Sequence, residues 1–291
     1  MTEEQLNTST SVAVATPLVS ASTILTIEDY VRLPVVPPTA RLAYGVDPAQ
    51  FGDLYLPSQG DIHPVLIVIH GGCWNANNGL EPVGLFCEVF ARLGIAVWSL
   101  EYRRLGNGGG WPNTMLDVGA GADHLRVLAT QHPLDLSRVV AVGHSAGGHL
   151  ALWLAARHRL ALDSPLAMPN PLHLTGVVSL AGIPDLVDAY ERKICGGAAS
   201  ALMGGSPETL ESRYRDASPS ALLPLGVPQQ LLIGELDKAV PPAHNETYVA
   251  YANALGDAVT LTILPSVGHI EVVTPGTAIW PQVEQAILKD Y

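Results

Sequence analysis

From residue 40 onward, short apolar runs alternate with longer stretches whose apolar groups recur at helical spacing. Residues 40–44 and 50–56 flank the turn Gly45-Val46-Asp47-Pro48 and read as paired edge strands. Residues 64–70 (Pro-Val-Leu-Ile-Val-Ile-His) are apolar without alternation, as a strand covered on both faces requires. Further strands are expected at 95–100, 138–142, 174–181, 229–233 and 259–264, and helices at 81–93, 112–131, 148–158, 242–255 and 277–288. Strands alternating with helices imply an α/β domain built on a doubly wound, mostly parallel sheet, with helices on both faces. Ligands bind such sheets beyond the carboxyl ends of the strands.

Two stretches fit that alternation poorly. Residues 184–226 carry Gly196-Gly197, Gly204-Gly205 and Ser206-Pro207, and read either as a small cap-like insertion over the ligand edge or as a meandering surface connection. Residues 1–39 read as a flexible N-terminal extension before a single domain at 40–291. Within it, 1–25 form a polar tail and 27–38 an extended, proline-rich approach that either drapes over the ligand edge or supports a homodimer contact.

Composition narrows the function classes. Of 291 residues, 48% are apolar, enough for a large core. With 27 acidic against 15 basic residues the net charge is -12, which argues against nucleic acid or an anionic membrane as partner. Cys73, Cys87 and Cys195 are scattered and read as reduced, small apolar side chains. No Cys-x-x-Cys or histidine cluster has metal-ligand spacing, so neither metal nor cofactor is expected. The start MTEEQLNTST lacks the basic residues of a secretory signal, and 11–25 is too short and polar to span a bilayer, so a cytoplasmic location is expected.

Candidate chemistry centres on Gly143-His144-Ser145-Ala146-Gly147-Gly148, the G-x-S-x-G pattern between an expected strand and an expected helix. That turn exposes the serine hydroxyl at a helix N-terminus, where developing negative charge is favoured. A serine hydroxyl needs a base, and the base needs an orienting carboxylate, which follow in the order Ser, Asp or Glu, His. Asp237 lies after the strand at 229–233 and is preferred to Glu235 because it immediately precedes the turn Lys238-Ala239-Val240-Pro241. His269 follows the strand at 259–264 and is preferred among ten histidines by order and strand-end position. His70-Gly71-Gly72-Cys73-Trp74 follows the first apolar strand. The amides of Gly71, Gly72 and Ala146 are therefore expected to meet the oxyanion of an acyl transfer.

The segments HGGCW, GHSAGG, GELD and the late Gly268-His269 together resemble an α/β-hydrolase fold serine hydrolase over about residues 40–290. HGGxW is similar to the esterase/lipase branch that includes kynurenine formamidase-like and acetyl- or feruloyl-esterase-like enzymes. The resemblance implies cleavage of small to medium carboxylic esters through an acyl-enzyme, with Trp74, Cys73 and His144 near the substrate. Cys73 departs from the Gly, Ala or Tyr that relatives often carry there. Amide hydrolysis of the arylformamidase type uses the same residues and is the alternative. A binding module on the same fold is the third reading, disfavoured because all three triad members are present. Dehalogenase or epoxide-hydrolase chemistry would want Asp in place of Ser145.

Overall fold

The computed structural model describes residues 24–289 and Tyr291, so most of the expected tail lies outside the described residues. Eight strands, β1 (Ala40–Ala43), β2 (Phe51–Tyr55), β3 (His63–Ile69), β4 (Ala96–Leu100), β5 (Leu134–His144), β6 (Gly176–Leu180), β7 (Gln229–Gly234) and β8 (Val259–Leu264), form one sheet. Their order is β1-β2-β4-β3-β5-β6-β7-β8. β2 pairs antiparallel with both β1 and β4, and the remaining pairings, from β4–β3 to β7–β8, are parallel. All residues of β4, β6 and β7 are buried, which is why their sequences run apolar rather than alternating.

The helices are α1 (Ile27–Val31), α2 (Gly84–Arg92), α3 (Asn113–Asp123), α4 (Leu125–Leu128), α5 (Ala146–Ala156), α6 (Leu186–Glu191), α7 (Ala198–Met203), α8 (Glu211–Ala217), α9 (Pro242–Ala254) and α10 (Trp280–Leu288). The chain steps from β3 to β4 in one direction and from β4 to β5 in the other. Right-handed crossovers then put α2 and α3 on opposite faces. Side-chain contacts agree: Trp280 of α10 packs on Phe86 and Phe90 of α2, while Arg157, just after α5, donates to the Gly119 carbonyl of α3. α5 is apolar all round and every one of its residues is buried.

Two expectations change, and the irregular stretch gains detail. Part of the stretch read as an extended approach is α1, started by Thr26: its hydroxyl accepts the Asp29 amide while the Asp29 carboxylate accepts the Thr26 amide. The single helix expected at 112–131 is two, α3 and α4, which meet at His124. The irregular 184–226 contains the short helices α6, α7 and α8, with one 3₁₀ turn between α6 and α7 and another after α8, and it docks on α5 and on the connection after β4. Trp153 donates to the Asp216 carbonyl, and the Trp111 amide donates to the Leu202 carbonyl. Among the described residues no helix is long and apolar enough to cross a membrane.

Candidate active site

Ser145 stands between β5 and α5 with φ 55° and ψ -121°, a left-handed backbone that a non-glycine residue adopts only when its surroundings enforce it. The enforcing contact is the close approach of α5 to β3. A Cβ on Gly147 would stand 2.0 Å from the Ile69 carbonyl oxygen, so only glycine lets the helix start that near the strand. The turn puts the serine at the carboxyl edge of the sheet, where β3, β7 and β8 also end.

Asp237 and His269 come together at that edge. The His269 Nδ1–H donates to Asp237 Oδ2 at 2.6 Å, and the Asp237 side chain is fully buried. The other oxygen, Oδ1, accepts the amides of Ala239 (2.8 Å) and Val240 (2.9 Å), which fixes the carboxylate in place. With Nδ1 protonated and engaged, Nε2 is left as the basic nitrogen of the ring. Glu235, the alternative carboxylate, is exposed and accepts the Ser266 amide instead. No hydrogen bond joins the Ser145 hydroxyl to the His269 ring in this structure; such bonds commonly tighten only once substrate is bound.

The loop after β3 reaches Ser145 directly. A Cβ built on Gly71 would lie 3.2 Å from Ser145 Cβ. Among the described residues no acceptor takes the amides of Gly71, Gly72 or Ala146, leaving three free donors beside the serine. The next residues are all left-handed, with φ 110° at Gly72, 52° at Cys73 and 55° at Trp74. Below the loop, His70 Nε2 contacts the Glu101 carboxylate at 3.1 Å, and the Tyr102 hydroxyl donates to the His70 carbonyl. Arg104 also pairs with Glu101. These contacts hold the Glu101 carboxyl below its ordinary range against the upward push of burial.

Cys73, Trp74 and His144, expected near the substrate, each have a partner within the protein. Cys73 is bridged to Cys195, with Cα atoms 5.6 Å apart across 122 residues of sequence, which corrects the reading of three reduced thiols. Only Cys87 remains a free, buried cysteine. Trp74 is fully buried, and its indole N–H donates to His149 Nδ1 at 3.2 Å. His149 Nε2–H in turn donates to the Ala217 carbonyl at 2.9 Å, so the ring is held neutral. Burial pulls its pKa down to about 4. His144 is buried behind the serine, with its Nε2–H donating to the His269 carbonyl at 2.9 Å. Burial, with repulsion from His269, lowers its pKa to about 3. His144 thus touches the backbone of the histidine loop. No local pattern in the sequence marks the disulfide or these two histidine contacts.

A parallel sheet with a G-x-S-x-G elbow and an Asp–His pair on later strand ends defines the α/β-hydrolase fold. Within it, a family model described as BD-FAE matches residues 52–251, and the chain belongs to that family, which is of esterase type. The match takes in Ser145 and Asp237 and ends before His269. The "Alpha/beta hydrolase domain-containing protein WAV2" of Arabidopsis thaliana is 23% identical over 285 residues, 91% of this chain and 88% of its own. Among solved structures, the inhibited esterase B from Lactobacillus rhamnosis superposes with a TM-score of 0.74 at 22% identity, covering 89% of this chain and 87% of that one. The propionate-bound Est2 esterase of Thermogutta terrifontis gives 0.70 at 20% identity, covering 87% and 93%.

Proposed function

We propose that this chain is a serine hydrolase that cleaves carboxylic esters of small to medium size through Ser145, His269 and Asp237. The observation that carries the reading is the 2.6 Å His269–Asp237 pair at the sheet edge where Ser145 is held on its elbow. His269 Nε2 takes the hydroxyl proton as Ser145 Oγ attacks the ester carbonyl. Asp237 keeps the ring in the required tautomer and balances the imidazolium. The free amides of Gly71, Gly72 and Ala146 meet the charge that develops on the carbonyl oxygen. His269 then returns the proton to the leaving alcohol, and water, activated by the same ring, releases the acid. The esterase neighbours support an ester substrate, and the propionate in one of them favours a short acyl group. The Cys73–Cys195 bridge favours an oxidising compartment over the cytoplasm expected from the N-terminus.

The test is labelling with a fluorophosphonate probe, followed by hydrolysis of p-nitrophenyl acetate beside N-formylkynurenine. The expected outcome is label on Ser145, turnover of the ester, and loss of both in a folded Ser145→Ala variant. Ester turnover that survives in that variant overturns the assignment, and turnover of the formyl amide alone moves it to amide hydrolysis.

A further inference from the structure

The segment ahead of β1 reaches the loop that carries His269. Glu271, two residues after that histidine, is buried and its carboxylate bridges two amides. Oε1 accepts the Leu25 amide at 2.7 Å, and Oε2 accepts the Gly268 amide at 3.1 Å. The Ile24 side chain lies against Gly268 so closely that a Cβ there would be 2.6 Å from Ile24 Cγ2. A few residues on, the buried Tyr30 of α1 lies 6.4 Å, ring to ring, from His144, whose Nε2–H holds the His269 carbonyl. The arm formed by residues 24–30 therefore meets the histidine loop at Gly268 and backs the side chain that grips His269 itself.

We propose that Glu271 is a positioning residue, and that through it the 24–30 arm sets the place of the His269 imidazole. The inference rests on the triad reading given above. The ring is anchored at three points: Asp237 on Nδ1, His144 on its own carbonyl, and Glu271 on the preceding amide. The first two anchors come from the strand ends that build the site. The third depends on a carboxylate shared with a segment that precedes the sheet. A carboxylate suits this position because each oxygen accepts one amide and neither contact has to be given up for the other. A side-chain amide would present its own N–H to one of the two donors.

Full-length Glu271→Gln and Leu25→Pro variants test this, the second by removing the arm's donor while leaving Glu271 in place. Displacement of a reacting group by about 1 Å costs on the order of 10²-fold in rate. For Glu271→Gln the expected result is a kcat on p-nitrophenyl acetate lowered about 10- to 100-fold, with KM within twofold and fluorophosphonate labelling slowed in parallel. Leu25→Pro should change kcat and labelling in the same direction, by about 3- to 10-fold. A role confined to stability would lower Tm and leave kcat, measured well below Tm, within twofold in both variants; that result overturns the proposal. Should Glu271→Gln fail to fold, Leu25→Pro alone decides. Absence of Ser145 labelling in the native chain would overturn the triad reading and this inference together. Normal labelling at native rates in folded variants would overturn the arm's role alone.

Discussion

A methyl group at position 71 tests the oxyanion assignment with little other disturbance. The backbone of Gly71 is not left-handed, so alanine can adopt it without conformational strain. Its Cβ, however, would stand 2.8 Å from the His144 carbonyl oxygen, 3.0 Å from His144 Nδ1 and 3.2 Å from Ser145 Cβ, where ordinary contact begins at 3.4 Å. His144 and Ser145 belong to the elbow, which the packing of α5 against β3 fixes, so the glycine loop is the partner that moves. A shift of about half an ångström is enough to spoil a preorganised donor set. The loss of one oxyanion donor costs about 2.7–4 kcal/mol in the transition state, or 10²–10³ in kcat. Because that donor acts on charge present only in the transition state, Gly71→Ala should lower kcat by about 10²-fold and leave KM nearly unchanged. Overpacking costs about 1–3 kcal/mol of stability, so the assay pairs steady-state kinetics on p-nitrophenyl acetate with a thermal melt. A variant whose Tm falls while its kcat stays within threefold of native would refute the claim that the Gly71 amide faces the developing charge.

Two further outcomes follow from side chains that the mechanism does not use. Alkylation of the denatured, unreduced chain should modify one thiol, Cys87, and three after reduction; three reactive thiols before reduction would remove the Cys73–Cys195 bridge. His144 and His149 are buried as neutral rings with pKa values lowered to about 3 and about 4 from 6.5, so below pH 6.5 the unfolded chain binds protons that the fold refuses. Their stability contribution is complete above pH 6.5 and is lost as pH falls from there toward 4, by about 1.4 kcal/mol per pH unit for each ring. Urea midpoints should therefore drop between pH 7 and pH 5, with a shallower slope in His149→Asn. A midpoint that stays flat over that interval would contradict two neutral buried rings.

The parts of the site legible in the sequence are those carried by strand ends. A short β-branched run such as Val65–Ile69 reads as a strand covered on both faces, and whatever follows such a strand in a parallel sheet lands on the same edge. This is why Gly71, Ser145, Asp237 and His269 could be brought together from order alone. Asp237 was separable from Glu235 for the same reason, since the turn after it returns the chain into α9. What the sequence hides are contacts between segments with no shared period. Cys73 and Cys195 lie 122 residues apart with no spacing rule to pair them. Glu271 reads as any acidic residue near a loop, because its two amide partners, at Leu25 and Gly268, come from opposite ends of the chain. The helix α1 is short, and its Thr26–Asp29 cap is outweighed in a window rich in proline. His149 shows only its spacing of four from Ser145, which any helix supplies.

Among the described residues, five of the eight left-handed non-glycine residues stand at the carboxyl edge of the sheet. Cys73 and Trp74 follow β3, Ser145 follows β5, Ala181 follows β6 and Ser266 follows β8. Each such residue costs on the order of 1–3 kcal/mol, so the surrounding structure must over-determine it. The loop after β3 shows how. Its Cys73 is bridged to the segment between β6 and β7, the Trp74 indole donates to His149 on α5, and the Trp74 carbonyl accepts the Leu105 amide beyond β4. Three anchors from three separate stretches of chain leave this loop no cooperative way to relax without disturbing β4, α5 and the 184–226 segment at once. The amides of Gly71 and Gly72 can stay unpaired because the conformations that would pair them are closed off. Donors fixed before substrate arrives need no reorganisation when charge appears on a carbonyl oxygen, and that preorganisation is where electrostatic stabilisation of an acyl-transfer transition state originates.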